Sequence, residues 1–140
     1  ITPGGLRISE ELIHQGVGEE NMLQCFHYDG CSYEEAVRRW KVEPKVLETS
    51  ENHTLKTIFN EKHTDCFALR ELELNGQFRQ EGNGDFFVAV IYSGKGTITC
   101  NGNEFLFVQG EEIFFPAQIN QIKWNAEKPA KILLCYPPQY

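Results

Sequence analysis

No histidine follows His63 in a chain that runs to Tyr140, and only four occur in all. The second half therefore lacks any His-x-His pair, the usual anchor of a metal or general-base site. Positive charge is also scarce: 13 Lys and Arg stand against 20 Asp and Glu, giving a formal charge of −7 and a pI near 5.1. That balance argues against nucleic acid or an anionic membrane as the main partner, since both call for a basic face. A local basic pocket for a phosphorylated small molecule stays open. Nothing approaches the roughly 18 uninterrupted apolar residues of a membrane span, and no signal-like apolar segment opens the chain. Internal repeats and low-complexity tracts are absent too. Five cysteines (Cys25, Cys31, Cys66, Cys100, Cys135) make an odd number at irregular spacing. Cys100 and Cys135 lie in apolar runs, where a thiol packs as a small hydrophobe. Read as reduced, all five imply a cytoplasmic protein, in which the Asn52-His53-Thr54 sequon is a chance match. Ile1-Thr-Pro-Gly-Gly, without a methionine, reads as the interior of something longer.

What the chain does have is 41% hydrophobic and 24% charged residues, the balance of one soluble domain with an appended segment. Residues 1–50 read as a helical connector. Ser9 precedes a short turn, Glu19 to Phe26 fits a short helix, and Ser32-x-x-Glu35 is a capping box opening a helix to about Lys41. Tyr33, Val37 and Trp40 would form its buried stripe, and Pro44 stops it. Residues 51–140 read as all-β. Phe86 to Tyr92 is a continuous apolar run suited to a strand buried on both faces. Thr97 to Cys100 and Asn103 to Val108 flank Asn101-Gly102, a tight hairpin signal, and Asn75-Gly76 is a second such signal. With Leu55–Phe59, Phe67–Leu74, Gln77–Gln80, Ile113–Phe115, Gln121–Trp124 and Lys131–Tyr136, short strands and frequent turns point to an antiparallel sandwich or barrel of about eight strands.

Candidate chemistry is sparse. Cys25, His27 and Cys31 are the nearest thing to a metal cluster, but no second ligand pair stands at zinc-site spacing, and packing is the simpler reading. His14, His53 and His63 fall in turns or polar loops and read as solvated. Cys31 and Cys66 lack a neighbouring base that would make a nucleophile. Glu111 and Glu112 point to opposite faces of a strand entry. Arg70 alternates with Leu72 and Leu74. If that face turns inward, Arg70 is a cation that needs an anion, a carboxylate or phosphate; an outward edge fits the spacing equally.

Gly94, Gly110, Pro116 and Asn125 stand at intervals that resemble the two sequence motifs of the cupin superfamily, small double-sheet β-barrels. On that alignment Phe87 occupies the slot of the metal-binding glutamate and Gln121 that of the second motif's histidine. Gln118 replaces the usual glycine. The scaffold resembles a cupin and its metal site is missing. Glu11-Leu-Ile-His-Gln-Gly-Val-Gly, Met22-Leu-Gln-Cys-Phe-His-Tyr, Ser32-Tyr-Glu-Glu-Ala-Val-Arg-Arg-Trp and Val42-Glu-Pro resemble the connector between the two cupin halves of the type I mannose-6-phosphate isomerase family. The resemblance implies a mainly β, cupin-like double-stranded β-helix, a jelly-roll barrel, preceded by a short helical segment. It implies a parent enzyme that interconverts mannose 6-phosphate and fructose 6-phosphate. Zinc or another divalent metal would sit in an N-terminal cupin, the partner of this segment, which itself holds no cofactor, metal ligand or catalytic residue. Gln121 and Arg70 are then the substrate-side candidates at the barrel mouth, and a homodimer is left open. The alternative is a free-standing, metal-less cupin that binds a small sugar or metabolite as a sensor or carrier. A metal-dependent oxygenase or free-standing isomerase is disfavoured by the absent His-x-His pair.

Overall fold

The β-rich part is built around two long strands that run side by side. The computed structural model describes Gly5 and residues 8–138, with Glu10 and Glu11 described by their backbone alone. The chain divides into two units, Ile1–Lys41 and Val42–Tyr140. The described residues of the first hold three short helices: α1 (Glu10–Ile13), α2 (Glu19–Gln24) and α3 (Tyr33–Trp40). The predicted cap of α3 is present, with Ser32 Oγ accepting from the Glu35 N–H at 3.2 Å. The Glu35 carboxylate then pairs with Arg39 one turn on, and with Arg38 at 3.8 Å. The stripe Tyr33–Val37–Trp40 is not buried. No α3 residue is, and Tyr33 and Trp40 stand exposed. Helical periodicity lines apolar side chains up; it does not supply the surface that covers them.

The described residues of the second unit form one antiparallel sheet of eight strands: β1 (Lys45–Thr49), β2 (His53–Phe59), β3 (Ala68–Glu81), β4 (Phe87–Ser93), β5 (Lys95–Cys100), β6 (Asn103–Val108), β7 (Glu112–Phe115) and β8 (Gln121–Tyr136). β8 is the hub. It pairs with β3 along its whole length, and on its other side with β5 through Ile122–Asn125 and with β4 through Lys131–Cys135. The switch falls at a bulge, where Leu74↔Ala130 and Gly76↔Ala126 leave Glu127-Lys128-Pro129 looping out of register. The bulge divides the sheet into two limbs. One contains β1-β2, the first half of β3, the second half of β8, β4 and β7; the other contains the remaining halves, β5 and β6.

Two sequence expectations fail here. Asn75-Gly76 makes no hairpin, because the chain runs straight through it and the two predicted strands fuse into β3. Gly76 has φ +134, and a Cβ there would lie 2.5 Å from Asn52 Oδ1, so glycine answers a close approach rather than a turn. Asn101-Gly102 is the hairpin it resembles, with φ 48 and 78. The larger correction concerns closure. The expected jelly-roll barrel is an open sheet: in the order β1-β2-β3-β8-β4-β7, with β5 branching from β8 and carrying β6, the terminal strands β1, β7 and β6 each pair on one side only among the described residues. A barrel needs its end strands to pair with each other, and alternation along a strand carries no information on that pairing.

The limbs face each other across an apolar core. Leu72, Leu74, Ile91, Ile98, Ile122, Trp124, Ile132 and Leu134 are fully buried. Trp124 on one limb meets Phe115 on the other with ring centroids 5.5 Å apart, and packs on Phe107 at 6.0 Å.

The outer face carries a polar ladder across four strands. Lys56 reaches Glu73 at 2.8 Å, Lys131 reaches Glu73 at 3.1 Å, and Tyr92 donates to Glu71. Hydrogen bonds from Lys56 and then Lys131 hold the Glu73 carboxyl below its usual value of 4.5. A depressed carboxylate stabilises the fold above that value and loses its contribution as pH falls through its folded value. The urea midpoint should therefore drop as pH is lowered below 4.5, and Glu73→Gln should flatten that part of the profile. An unchanged slope in the variant would assign the acid response elsewhere.

Candidate functional site

Between the limbs, the buried Trp124 and Tyr136 are joined through the half-buried Gln80 in a polar chain. The Trp124 indole Nε1–H donates to Gln80 Oε1 at 3.0 Å, and Gln80 Nε2 donates to the Tyr136 hydroxyl at 3.0 Å. Both ends of one amide are thus used to tie β8 to β3 twice. Arg70 lies beside this chain, its guanidinium carbon 4.7 Å from the Tyr136 ring centroid. Ala68, Leu72 and Leu74 on the same side of β3 are buried, which makes the Arg70 face the inward one. Burial pushes the Tyr136 phenol up, while the charge of Arg70 and hydrogen bonds from Arg70 and Gln80 draw it part of the way back. Burial likewise raises the Cys135 thiol, with the Glu112 charge adding to it, which favours the protonated, less nucleophilic form.

A cavity of about 120 Å³ opens here, with Arg70, Gln80, Glu81, Asn83, Asp85 and Tyr136 among its walls. Small-molecule sites usually run from roughly 300 Å³ upward, so this one is too small to enclose a sugar phosphate. Gln121 does not line it. Its Nε2 donates to Glu81 Oε1 at 3.2 Å, and that oxygen also accepts from Arg79 at 2.9 Å. Arg70 therefore faces the cavity directly and Gln121 reaches it through Glu81. Phe87, in the slot aligned with a cupin glutamate, is 5% exposed. It stacks on Phe115 with centroids 4.5 Å and planes 7° apart, and tilts against Tyr136 at 5.1 Å. Aromatic rings fill the space where a ligand carboxylate would stand.

Cys25, His27 and Cys31 form no metal group; among the described residues no cluster of three His, Cys, Asp or Glu side chains could hold an ion. Cys25 Sγ donates back to Asn21 O at 3.4 Å. His53, read from sequence as solvated, is instead enclosed. Its side chain is 9% exposed, and its ring lies 4.4 Å from that of Phe78. Nδ1 is 2.9 Å from Ser50 Oγ and Nε2 is 3.0 Å from Glu48 Oε1. The composition is that of a Ser-His-Glu triad, but Ser50 Oγ also accepts the backbone N–H groups of Asn52 and His53, at 3.1 and 3.2 Å. Its lone pairs serve the β1–β2 turn, and the set is a staple for that hairpin. Sequence reasoning missed this staple and the Trp124–Gln80–Tyr136 chain. Only the short spacing from Glu48 to His53 could have signalled the first; nothing local signals the second.

Residues 56–132, over half of the chain, match the family model described as mannose-6-phosphate isomerase, cupin domain. No curated protein sequence matches. Among solved structures, the mannose 6-phosphate isomerase of Bacillus subtilis is 15% identical with a TM-score of 0.56, over 67% of this chain and 28% of that one. The EutQ protein of Clostridium difficile is 18% identical with a TM-score of 0.55, over 67% of this chain and 76% of that one. The ectoine synthase of P. lautus is 11% identical with a TM-score of 0.58, over 79% and 78%. At these identities the likeness is one of fold.

Proposed function

The chain belongs to the mannose-6-phosphate isomerase cupin-domain family, and from that premise we propose that it serves a sugar-phosphate isomerase as its metal-free, structural cupin. In such an enzyme mannose 6-phosphate and fructose 6-phosphate interconvert by moving a proton between C1 and C2. A divalent cation, zinc as a rule, supplies the Lewis acidity when bound in the N-terminal cupin. The residues of this chain take no part in that step. Their task is to present a rigid, packed domain against the catalytic one. The observation that carries the reading is Phe87, a stacked core aromatic where a metal-holding cupin needs a carboxylate. Five free thiols, three of them exposed, support a cytoplasmic setting; no described helix is long and apolar enough to cross a membrane.

A second reading, a free-standing metabolite binder, draws on the half-buried Arg70 at the wall of the 120 Å³ cavity. That space suits the phosphate or carboxylate end of a ligand and not a whole hexose phosphate, with Gln121 holding Glu81 in place at its rim.

The test is to assay the purified chain with zinc for exchange between mannose 6-phosphate and fructose 6-phosphate, and to measure bound metal by elemental analysis. The expected result is no turnover and no stoichiometric zinc, with a tight complex forming when a catalytic cupin of the same family is added. Turnover by the chain alone, or one zinc per chain lost on Gln121→Ala, would overturn the structural reading. A phosphate-dependent rise in melting temperature that Arg70→Ala abolishes would favour the second.

A further inference from the structure

We infer that β6 is a docking edge for a second copy of this chain, joined by antiparallel β6–β6 pairing about a two-fold axis at Phe105. The inference is independent of the isomerase reading. Among the described residues β6 pairs with β5 alone, in the register Cys100↔Asn103, Ile98↔Phe105 and Gly96↔Phe107. Across a two-residue turn the flanking pair Cys100–Asn103 exchanges hydrogen bonds, and such pairs then alternate along the ladder. Asn103, Phe105 and Phe107 therefore bond inward to β5, while Glu104, Leu106 and Val108 present their backbone groups to the free edge. Val108 is already occupied, its N–H donating to Glu111 Oε2 at 2.9 Å and its carbonyl accepting from Glu111 N at 3.2 Å. Glu104 and Leu106 keep two donors and two acceptors without a partner among the described residues.

A second copy meets that pattern in one register. Placing Phe105 opposite Phe105 of the partner sets Glu104 against Leu106 in both directions, so four hydrogen bonds use every open group and the blocked Val108 is left out. No carboxylate on the edge then faces another, because Glu104 is the only charged residue of the strand and lies opposite leucine. Edge strands that must stay single usually carry lysine, proline or a bulge. β6 has none of these, and Phe105 and Leu106 are 53% and 79% exposed. Beside the edge, between β6 and β7, runs an apolar groove of about 510 Å³ with Ile98, Cys100, Ile113 and Phe114 in its walls. Phe105 points to the same side of β6 as the buried Phe107. The partner's Phe105, directly across, points the same way and enters the groove. The acidic net charge opposes association, so salt should strengthen it.

The test is sedimentation of the full chain over a concentration series, with hydrogen exchange read at Glu104 and Leu106. The expected result is a monomer–dimer equilibrium that tightens with salt, with protection at those two amides rising as dimer forms. Leu106→Pro removes an edge N–H and should leave a folded monomer; Phe105→Ala keeps the backbone and should weaken dimerisation about tenfold, the scale of one aromatic pair. A chain that stays monomeric throughout the series overturns the inference. So does a dimer that survives Leu106→Pro with both amides unprotected, which would place the contact elsewhere.

Discussion

Trp124→Ala should leave the β-sheet unit largely unfolded at neutral pH. Trp124 has no solvent exposure and touches both limbs, through Phe107 at 6.0 Å and Phe115 at 5.5 Å. Truncating a buried Trp to Ala costs about 3–5 kcal/mol through lost transfer energy and the cavity left behind. The variant also removes the donor to Gln80 Oε1, which accepts from the indole at 3.0 Å. Gln80 is half-buried at the cavity wall, where water can take the donor's place, so this loss is that of one net hydrogen bond, about 0.5–1.5 kcal/mol. A domain of this size has about 5–15 kcal/mol in total, so the two terms together exhaust a domain near the lower end of that range. Trp124→Phe keeps an aromatic between the limbs and loses the donor with part of the indole's volume, so it shows how much of the loss the aromatic contact prevents. Urea denaturation followed by far-ultraviolet circular dichroism should show a midpoint for the Phe variant well below the parent, and no native baseline for the Ala variant. An Ala variant within about 1 kcal/mol of the parent would mean that the limbs are held together by something other than this contact.

The same residue shows where sequence reading stops. Local chemistry was legible. Asn101-Gly102 turns because both residues need positive φ, and Ser32 caps α3 because its oxygen reaches the Glu35 N–H. Alternation along residues 68–74 put Arg70 on the face of Leu72 and Leu74, which is the buried one, but could not say so in advance. β1 carried no signal because all five of its residues are exposed; it is recognisable only by its pairing with β2. Asn75-Gly76 failed because the same dipeptide serves a turn or a bulge, and the choice depends on Asn52, more than twenty residues upstream. Closure failed for a related reason. Each strand states its own inner and outer face, while pairing between end strands is a property of the whole sheet. The Trp124–Gln80–Tyr136 chain joins residues 44 and 56 positions apart, and no window of sequence contains it. The resemblance to a cupin located Phe87 and Gln121 in ligand slots; the structure supplied what stands in them, a stacked ring and an amide bonded to Glu81.

Phe87→Glu puts the missing carboxylate back into its slot, and the expected result is destabilisation instead of metal binding. Phe87 is 5% exposed and stacks on Phe115 at 4.5 Å. Losing that ring costs on the order of 3–5 kcal/mol as a large-to-small core change. The new carboxyl would be walled by Phe115 and Tyr136, where desolvation favours the neutral acid and raises its pKa. A carboxyl raised in the folded state binds protons more readily there than in the unfolded chain, so the variant loses stability as pH rises. Every tenfold gain in proton affinity on folding takes about 1.4 kcal/mol from stability once the pH lies above both pKa values. The pH profile of Phe87→Glu should thus slope opposite to the acid response of Glu73, with its highest urea midpoint at about pH 5, between the two effects. Phe87→Leu, which keeps an apolar group, should lose less and show no such slope. Adding Gln121→His to Phe87→Glu supplies a second ligand of the aligned set. If zinc then raises the midpoint of the double variant, a metal cradle survives beneath the aromatic packing and the domain is a silenced metal cupin. If zinc leaves it unchanged, the interior has been rebuilt around its rings, as a domain whose work is structural requires.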